Sequence, residues 1–439
     1  MDSFFKISER GSTVSREVSG GLTTFLSMAY IIAVNPSILT AAGIPFNAAL
    51  TATCFGAAIM TAVMGLCANR PLMLASGMGI NSIVAFGLCA GNNAVNWRVA
   101  MAVVMVEGIA ILVLVACGLR KAVMDAIPPN IRHAIGIGIG VFVAFIGLIN
   151  GGIVVNSDST LITLGNVTSP ACIVAYFSIG CALLLQARKV PGALLISIIL
   201  ATIVGIPLGV TQLPTSWSFG LDFSAFAAPL QTDPDTGMIA TLVVFTKPAL
   251  LLAAFSLLMS DFFDTMGTVM AVADKAEFSD EEGNVEDIQP ILMADSAAAI
   301  AGGFFGASSI TTFVESVSGA AAGARTGLAS LVTAAMFAIA AFLSPLFGMV
   351  SGSATCGALV IVGFLMMSDI VKMDWHYLED AFPAFAAVTG IMMTYSITNG
   401  IGFSFVSYCF IMTCRGKAKQ VKPLMWVVAV AFLVMFIMQ

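Results

Sequence analysis

Apolar runs recur along this chain, separated by short polar, glycine- or proline-containing breaks. A hydrocarbon core ~30 Å thick takes about 20 apolar residues as a helix. The runs predict spans at about 20–40, 48–68, 99–119, 131–149, 170–187, 192–209, 248–272, 291–304, 326–350 and 354–368. A proline-containing run from Ala381 divides at Asn399-Gly400 into two more. The last run, 424–438, reaches only about 22 Å at ~1.5 Å per residue. It is either a short extra crossing or, as we read it, a helix lying against the bundle.

Two stretches break the pattern: LASGMGINSIVAFGLCA (74–90) and GASSITTFVESVSGAAAGAR (306–325) are short, rich in glycine and serine, and polar in their first halves. Neither makes a good continuous helix, and irregular backbone at membrane depth is tolerated only against protein or a cavity. Counted as spans three and ten, they complete an all-α polytopic membrane protein of fourteen spans. They stand seven spans apart, and an odd number of spans per half inverts the second half relative to the first. Paired broken segments at corresponding positions point to a transporter's midplane site.

Composition agrees. Of 439 residues, 59% are hydrophobic and only 10% charged, where ordinary soluble domains carry roughly 25% charged residues. The net charge of -6 comes with no basic patch, so nucleic acid is not an expected partner. The nine cysteines lack CxxC or Cys/His spacing and read as packing residues. No metal or cofactor motif is present, and GIGIG (136–140) and GAAAG (319–323) lack the GxxxxGK[ST] pattern, reading instead as faces for close helix packing. No nucleophile–base constellation suggests an enzyme. With the N-terminus in the cytoplasm, Arg70, the Arg120/Lys121/Arg132 cluster, Arg188/Lys189, Lys372 and the run 415–422 all fall inside. The 150–169 and 211–246 loops fall outside, with Arg98 as the main exception. A cell (inner) membrane location is expected.

The candidate chemistry follows from cost. A carboxylate at membrane depth is expensive and marks function by default, and Glu315 sits among Ser308, Ser309, Thr311, Thr312, Val314 and Ser316. It binds a solute, carries a proton or glues two helices; pairing with Arg325, ten residues on, is not expected. Asp261 and Asp264 are three apart and share one helix face. We expect one to contact solute, Asp261 for preference, and the other to be structural. Span three offers Ser76, Met78, Asn81 and Ser82, where Asn81 both donates and accepts. Thr23, Thr24 and Ser27 are weaker, because hydroxyls in membrane helices bond their own preceding turn. Glu107 ranks below the other acids, as a candidate packing carboxylate.

Several stretches carry a family likeness: GGLTTFLSMAYIIAVNPSIL (20–39), ASGMGINSIVAFG (75–87), DFFDTMGT (261–268), AEFSDEEGNVEDIQPILMADSAAAIAGGFFG (276–306) and ITTFVESVSGAAAGARTGL (310–328). Together they resemble the AzgA-like hypoxanthine/guanine/adenine permeases, a nucleobase–cation symporter branch with the uracil permease's fold. The resemblance implies two inverted seven-span repeats with short extended segments in spans three and ten. It implies a core domain, 20–119 and 247–350, moving against a gate domain, 131–210 and 353–439. It also implies proton-coupled purine uptake, and a homodimer through the gate domains by analogy. By position, Glu315 matches the family's tenth-span acid, Asp261 the uracil permease's eighth-span glutamate, and Asn81 lies in the third-span binding segment. The expected substrate-binding set is Glu315, Asp261, Asp264, Asn81, Met78, Thr24, Thr312 and Val314, with Glu315 and Asp261 carrying the proton. Ile310 and Ser76 depart from the family's usual Thr and Pro, which bears on the preferred purine. The rivals are an anion (sulfate or bicarbonate) carrier of this architecture, Na+-coupled nucleobase uptake, and an ion channel.

Overall fold

Hydrocarbon offers backbone groups no water, so an apolar run must close its own hydrogen bonds, and a helix does so. The computed structural model describes residues 2–90, 94–118, 127–213, 220–279 and 285–438. Arg120, Lys121 and the acidic run 280–284 lie outside them.

The first half of the chain forms α1 (Val14–Met28), α2 (Ile31–Thr40), α3 (Phe46–Cys67), β1 (Leu74–Ser76), α4 (Met78–Ser82), a π-helical turn Ile83–Leu88, α5 (Trp97–Ala116), α6 (Pro129–Asn150), β2 (Val154–Ser157), β3 (Leu161–Leu164), α7 (Pro170–Ala187) and α8 (Ala193–Gly205). The second half forms α9 (Ala240–Thr246), α10 (Pro248–Lys275), α11 (Ile288–Phe305), β4 (Ile310–Thr312), α12 (Ser316–Ala321), α13 (Gly327–Ala340), α14 (Gly352–Met366), α15 (Leu378–Thr394), α16 (Ile397–Cys414) and α17 (Pro423–Met438). Among the described residues, nine helical stretches are long and apolar enough to cross a membrane, and further apolar helices are shorter. The protein is a multi-pass membrane protein.

The helices pack in two groups. In one, α5 lies on α10 and α11, while α13 lies on α1 and α3. In the other, α14 lies on α6 and α7, and α15 on α6 and α16. Gly140 and Gly363 meet at the α6–α14 crossing, where a Cβ on Gly363 would stand 2.3 Å from the Gly140 carbonyl. The GIGIG run is thus a close-packing face. Helix α17 packs on α16, with Phe432 and Phe436 stacked near Phe405 and Phe403.

Three expectations change. The break between the last two long runs is not at Asn399-Gly400 but at Tyr395-Ser396, where Tyr395 takes a left-handed conformation (φ 56°). Gly400 lies inside α16 against α15, and a Cβ there would fall 2.5 Å from the Ile391 nitrogen. The glycine serves a close approach, not a break. The 150–169 stretch is not plain loop but holds the β2–β3 hairpin. The 211–247 stretch contains α9, and its Gln231 accepts from Arg98 Nε at 2.8 Å. That bond gives Arg98, the exception to the expected orientation, a partner.

Candidate functional site

The two broken stretches meet. β1 and β4 pair antiparallel, with Leu74 opposite Thr312, Ala75 opposite Thr311 and Ser76 opposite Ile310, and all six residues are buried. The ribbon is extended by Gly77 N–H to Ser309 C=O (2.9 Å) and Phe313 N–H to Met73 C=O (2.9 Å). Two short strands share part of their backbone bonding with each other, while the Thr61 hydroxyl serves the N–H and C=O of Leu74. Helix α11 leads into this ribbon through left-handed Gly306 and Ser308. It lies so close that a Cβ on Gly302 would stand 2.0 Å from the Ser308 carbonyl.

Asp295 on α11 fastens the ribbon. Its carboxylate accepts the Thr312 N–H (3.1 Å) and the Thr265 hydroxyl (2.7 Å), with the Thr311 hydroxyl at 3.4 Å and Thr265 and Thr311 2.8 Å apart. Sequence reasoning passed over Asp295, although an acid in the apolar run ILMADSAAAIAGG carries the same cost as Glu315. Its nearness to the charged loop before α11 hides it.

Glu315 begins the half-helix after β4. The Tyr30 hydroxyl, in the non-helical joint between α1 and α2, donates to its Oε1 at 2.7 Å. Tyr30 is also absent from the sequence reading. Its signal was its rarity: five tyrosines stand in the whole chain, and this one is inside a span. Arg325 is engaged elsewhere, with Glu277 (2.9 Å) and, through its N–H, Glu17 (2.9 Å). It does not pair with Glu315.

The two aspartates of α10 separate. Three residues along a helix still differ by roughly 60° of rotation, enough to cross a burial boundary. Asp261 is fully buried with Thr265 and Thr268, while Asp264 lies on an exposed stripe with Gly267, Ala271 and Asp274. Asp264 is exposed, with Glu315, Tyr30 and Asp295 as its charged or polar neighbours. Val314 is 54% exposed and Glu315, next to it in the chain, is half-buried. Asp261 instead meets Ser309 Oγ (3.5 Å), the Thr311 hydroxyl and the carboxyl of Glu107. Of the two acids, Asp261 is buried and Asp264 is the exposed one.

The remaining candidates divide. Asn81 is fully buried with neither side-chain atom hydrogen-bonded, and the Ser76 and Thr312 hydroxyls are likewise unpaired. Such orphaned polar atoms at a broken segment are rare in folded protein. Met78 is 8% exposed beside them in the chain. Thr24 donates to Gly20 C=O (3.1 Å) and packs on Gly319 at the α1–α12 approach. It serves its own helix.

Comparison with known proteins places this geometry. The profile described as "Permease family" (Xan_ur_permease) matches residues 15–401. The guanine/hypoxanthine permease PbuO of Bacillus subtilis (strain 168) is 37% identical over 439 residues, covering 98% of this chain and 99% of that protein. The adenine permease AdeP of Escherichia coli (strain K12) is 35% identical, covering 99% and 95%. Among solved structures, the transmembrane domain of a cyanobacterium bicarbonate transporter, BicA, superposes with TM-score 0.67 at 16% identity, covering 88% of this chain and 97% of that one. That likeness is one of fold.

Proposed function

The chain belongs to the Permease family, and on that premise we propose that it imports purine nucleobases as a secondary active transporter, in symport with protons. The observation that carries the reading is that Glu315 and Asp264 stand together beside the β1–β4 ribbon with Tyr30 bracing Glu315, and we take the space they share as the substrate crevice. A purine presents N–H donors along one edge, and carboxylates accept such donors with charge-assisted bonds. Glu315 and Asp264 take that edge, Val314 meets the ring face, and the unpaired Asn81, Ser76 and Thr312 groups hydrate or bind the remainder. The names and near-full-length coverage of the guanine/hypoxanthine and adenine permeases support the substrate class.

We take the α1–α5 and α10–α13 groups as the moving core and the α6–α8 and α14–α16 groups as the gate, in fourteen spans with the N-terminus in the cytoplasm of a cell membrane. The exposed α10 stripe from Asp264 to Asp274 runs toward the end we assign to the cytoplasm, and we take the crevice as inward-open. Movement of the core against the gate would turn it outward. An anion carrier of the same fold is disfavoured, because the crevice presents acids and the charged groups acting on Asp264 are Asp295 and Glu315.

The test is uptake of labelled hypoxanthine in cells lacking their own purine uptake. Glu315→Gln and Asp264→Asn, with protein levels in the membrane unchanged, should each abolish it. Wild-type uptake by Glu315→Gln would overturn the binding role, and uptake indifferent to a protonophore would overturn proton symport. Competition by adenine, guanine and xanthine ranks the substrates.

A further inference from the structure

Glu107 lies midway along α5, is fully buried, and stands apart from the crevice residues. Neither of its carboxyl oxygens meets an N–H or O–H donor, and Oδ1 of Asp261 meets none either. What they face is each other, two unpaired carboxyl groups brought together where α5 packs on α10. Helix α5 is also packed by α11, α9, the turn 228–230 and the π-helical turn 83–88. The titratable groups that these elements turn toward the pair come down to Asp295 on α11, with Asp264 further along α10; the other three segments carry none. The charged surroundings are therefore wholly acidic. Two ionised carboxylates do not share a dry contact, whereas one proton between them makes an O–H···O bond and gives two of the three orphaned oxygens a partner.

We infer that Glu107 and Asp261 jointly hold a single exchangeable proton, and that this is the proton moved with the substrate. Glu107 does not touch the substrate; it acts through Asp261 as a positioning partner. Asp264 sits one helical turn from Asp261 at the water's edge, so emptying the pair places a new negative charge next to the base-binding carboxylates. Proton release and base release then favour one another. The assignment of roles separates two acids of one helix: Asp264 for the base, Asp261 with Glu107 for the proton. This inference rests on the uptake mechanism proposed above.

The experiment uses the full chain in proteoliposomes. For one proton per base, an inward gradient of one pH unit should concentrate labelled hypoxanthine about tenfold in the wild type, since both are the same factor of ten. Glu107→Gln should hold the ratio at about one while still exchanging hypoxanthine in counterflow at equal pH, and Glu107→Asp should recover part of the concentrating power. Glu107→Gln concentrating like the wild type would overturn the inference. So would loss of counterflow together with concentration in a monodisperse protein, which would make Glu107 a packing or binding residue. A readout independent of transport is the infrared carboxylic C=O stretch of the wild type at neutral pH, expected to shift in D2O and to be lost in Glu107→Gln. Its absence in the wild type would refute the shared proton even if the variant does not assemble. Should the wild type carry no purine at all, the uptake reading fails while the infrared band still decides the pair.

Discussion

Tyr30→Phe removes one oxygen atom and nothing else from the crevice. The phenol donates to Glu315 Oε1 at 2.7 Å and the side chain is 1% exposed, so the ring stays packed and no cavity opens. A hydrogen bond to a charged group contributes about 1.5–3 kcal/mol, which is roughly a 10- to 150-fold change in an equilibrium constant at ~1.4 kcal/mol per tenfold. If the bond holds the carboxylate in position for the purine edge, the loss falls on binding. KM for hypoxanthine should rise by that order while the amount of protein in the membrane and the maximal rate hold. Concentration-dependent uptake with quantified membrane protein measures it. In a Glu315→Gln background the acceptor is neutral and its bond weaker, so the same Tyr30→Phe change should cost ~1 kcal/mol or less in binding. A wild-type KM for Tyr30→Phe would refute the reasoning. Reduced protein with unchanged KM would do so equally, since it would make the bond one of assembly alone.

Two more outcomes follow from the structure. Gly302→Ala places a Cβ 2.0 Å from the Ser308 carbonyl and 2.7 Å from the Ile310 nitrogen; overpacking of this kind costs about 1–3 kcal/mol or more, so thermal stability in detergent and purine uptake should both fall. Glu379 lies just ahead of the run starting at Ala381, and its contacts with Lys417 Nζ (2.8 Å), first, and with Arg415 hold its carboxyl down to about 2, below the ordinary 4.5. A folded-state value lowered in this way adds stability above pH ~4.5 that is lost as pH falls toward ~2. Melting in detergent across that window should therefore drop in the wild type and be flatter in Glu379→Gln, and equal slopes would disprove the linkage.

Most of the architecture was legible because long apolar runs announce themselves and a helix is the only economical fold for them in lipid. The matched pair 74–90 and 306–325 was legible for the opposite reason, as failed helices, and the β1–β4 ribbon is what those failures build. Less was legible where local signals are ambiguous. Asn399-Gly400 looks like a breaker, yet Gly400 is a contact surface and the break falls on Tyr395, a residue type that seldom takes positive φ. Asp261 and Asp264 cannot be ranked from spacing, because the edge of burial passes between them and only the packing of α10 on α5 locates it. Glu107 looked isolated because its partner is distant in sequence, and Tyr30 and Asp295 matter through residues equally far along the chain.

The β1–β4 ribbon also sets an order of events during biogenesis. Ser76 pairs with Ile310, a residue made more than two hundred positions later. At ~5–20 residues per second of synthesis, β1 waits roughly 10–50 s for its partner. Throughout that interval Leu74 has the Thr61 hydroxyl for its N–H and C=O, but ribbon groups such as the Gly77 N–H and Met73 C=O still lack their partners. The half-made protein must therefore keep this segment near water, or shelter it in the insertion machinery, and slip it to midplane only when the second half arrives. Ribosomal pausing or truncation between the two strands would thus strand an intermediate that is inserted but unfinished, and exposed to quality control.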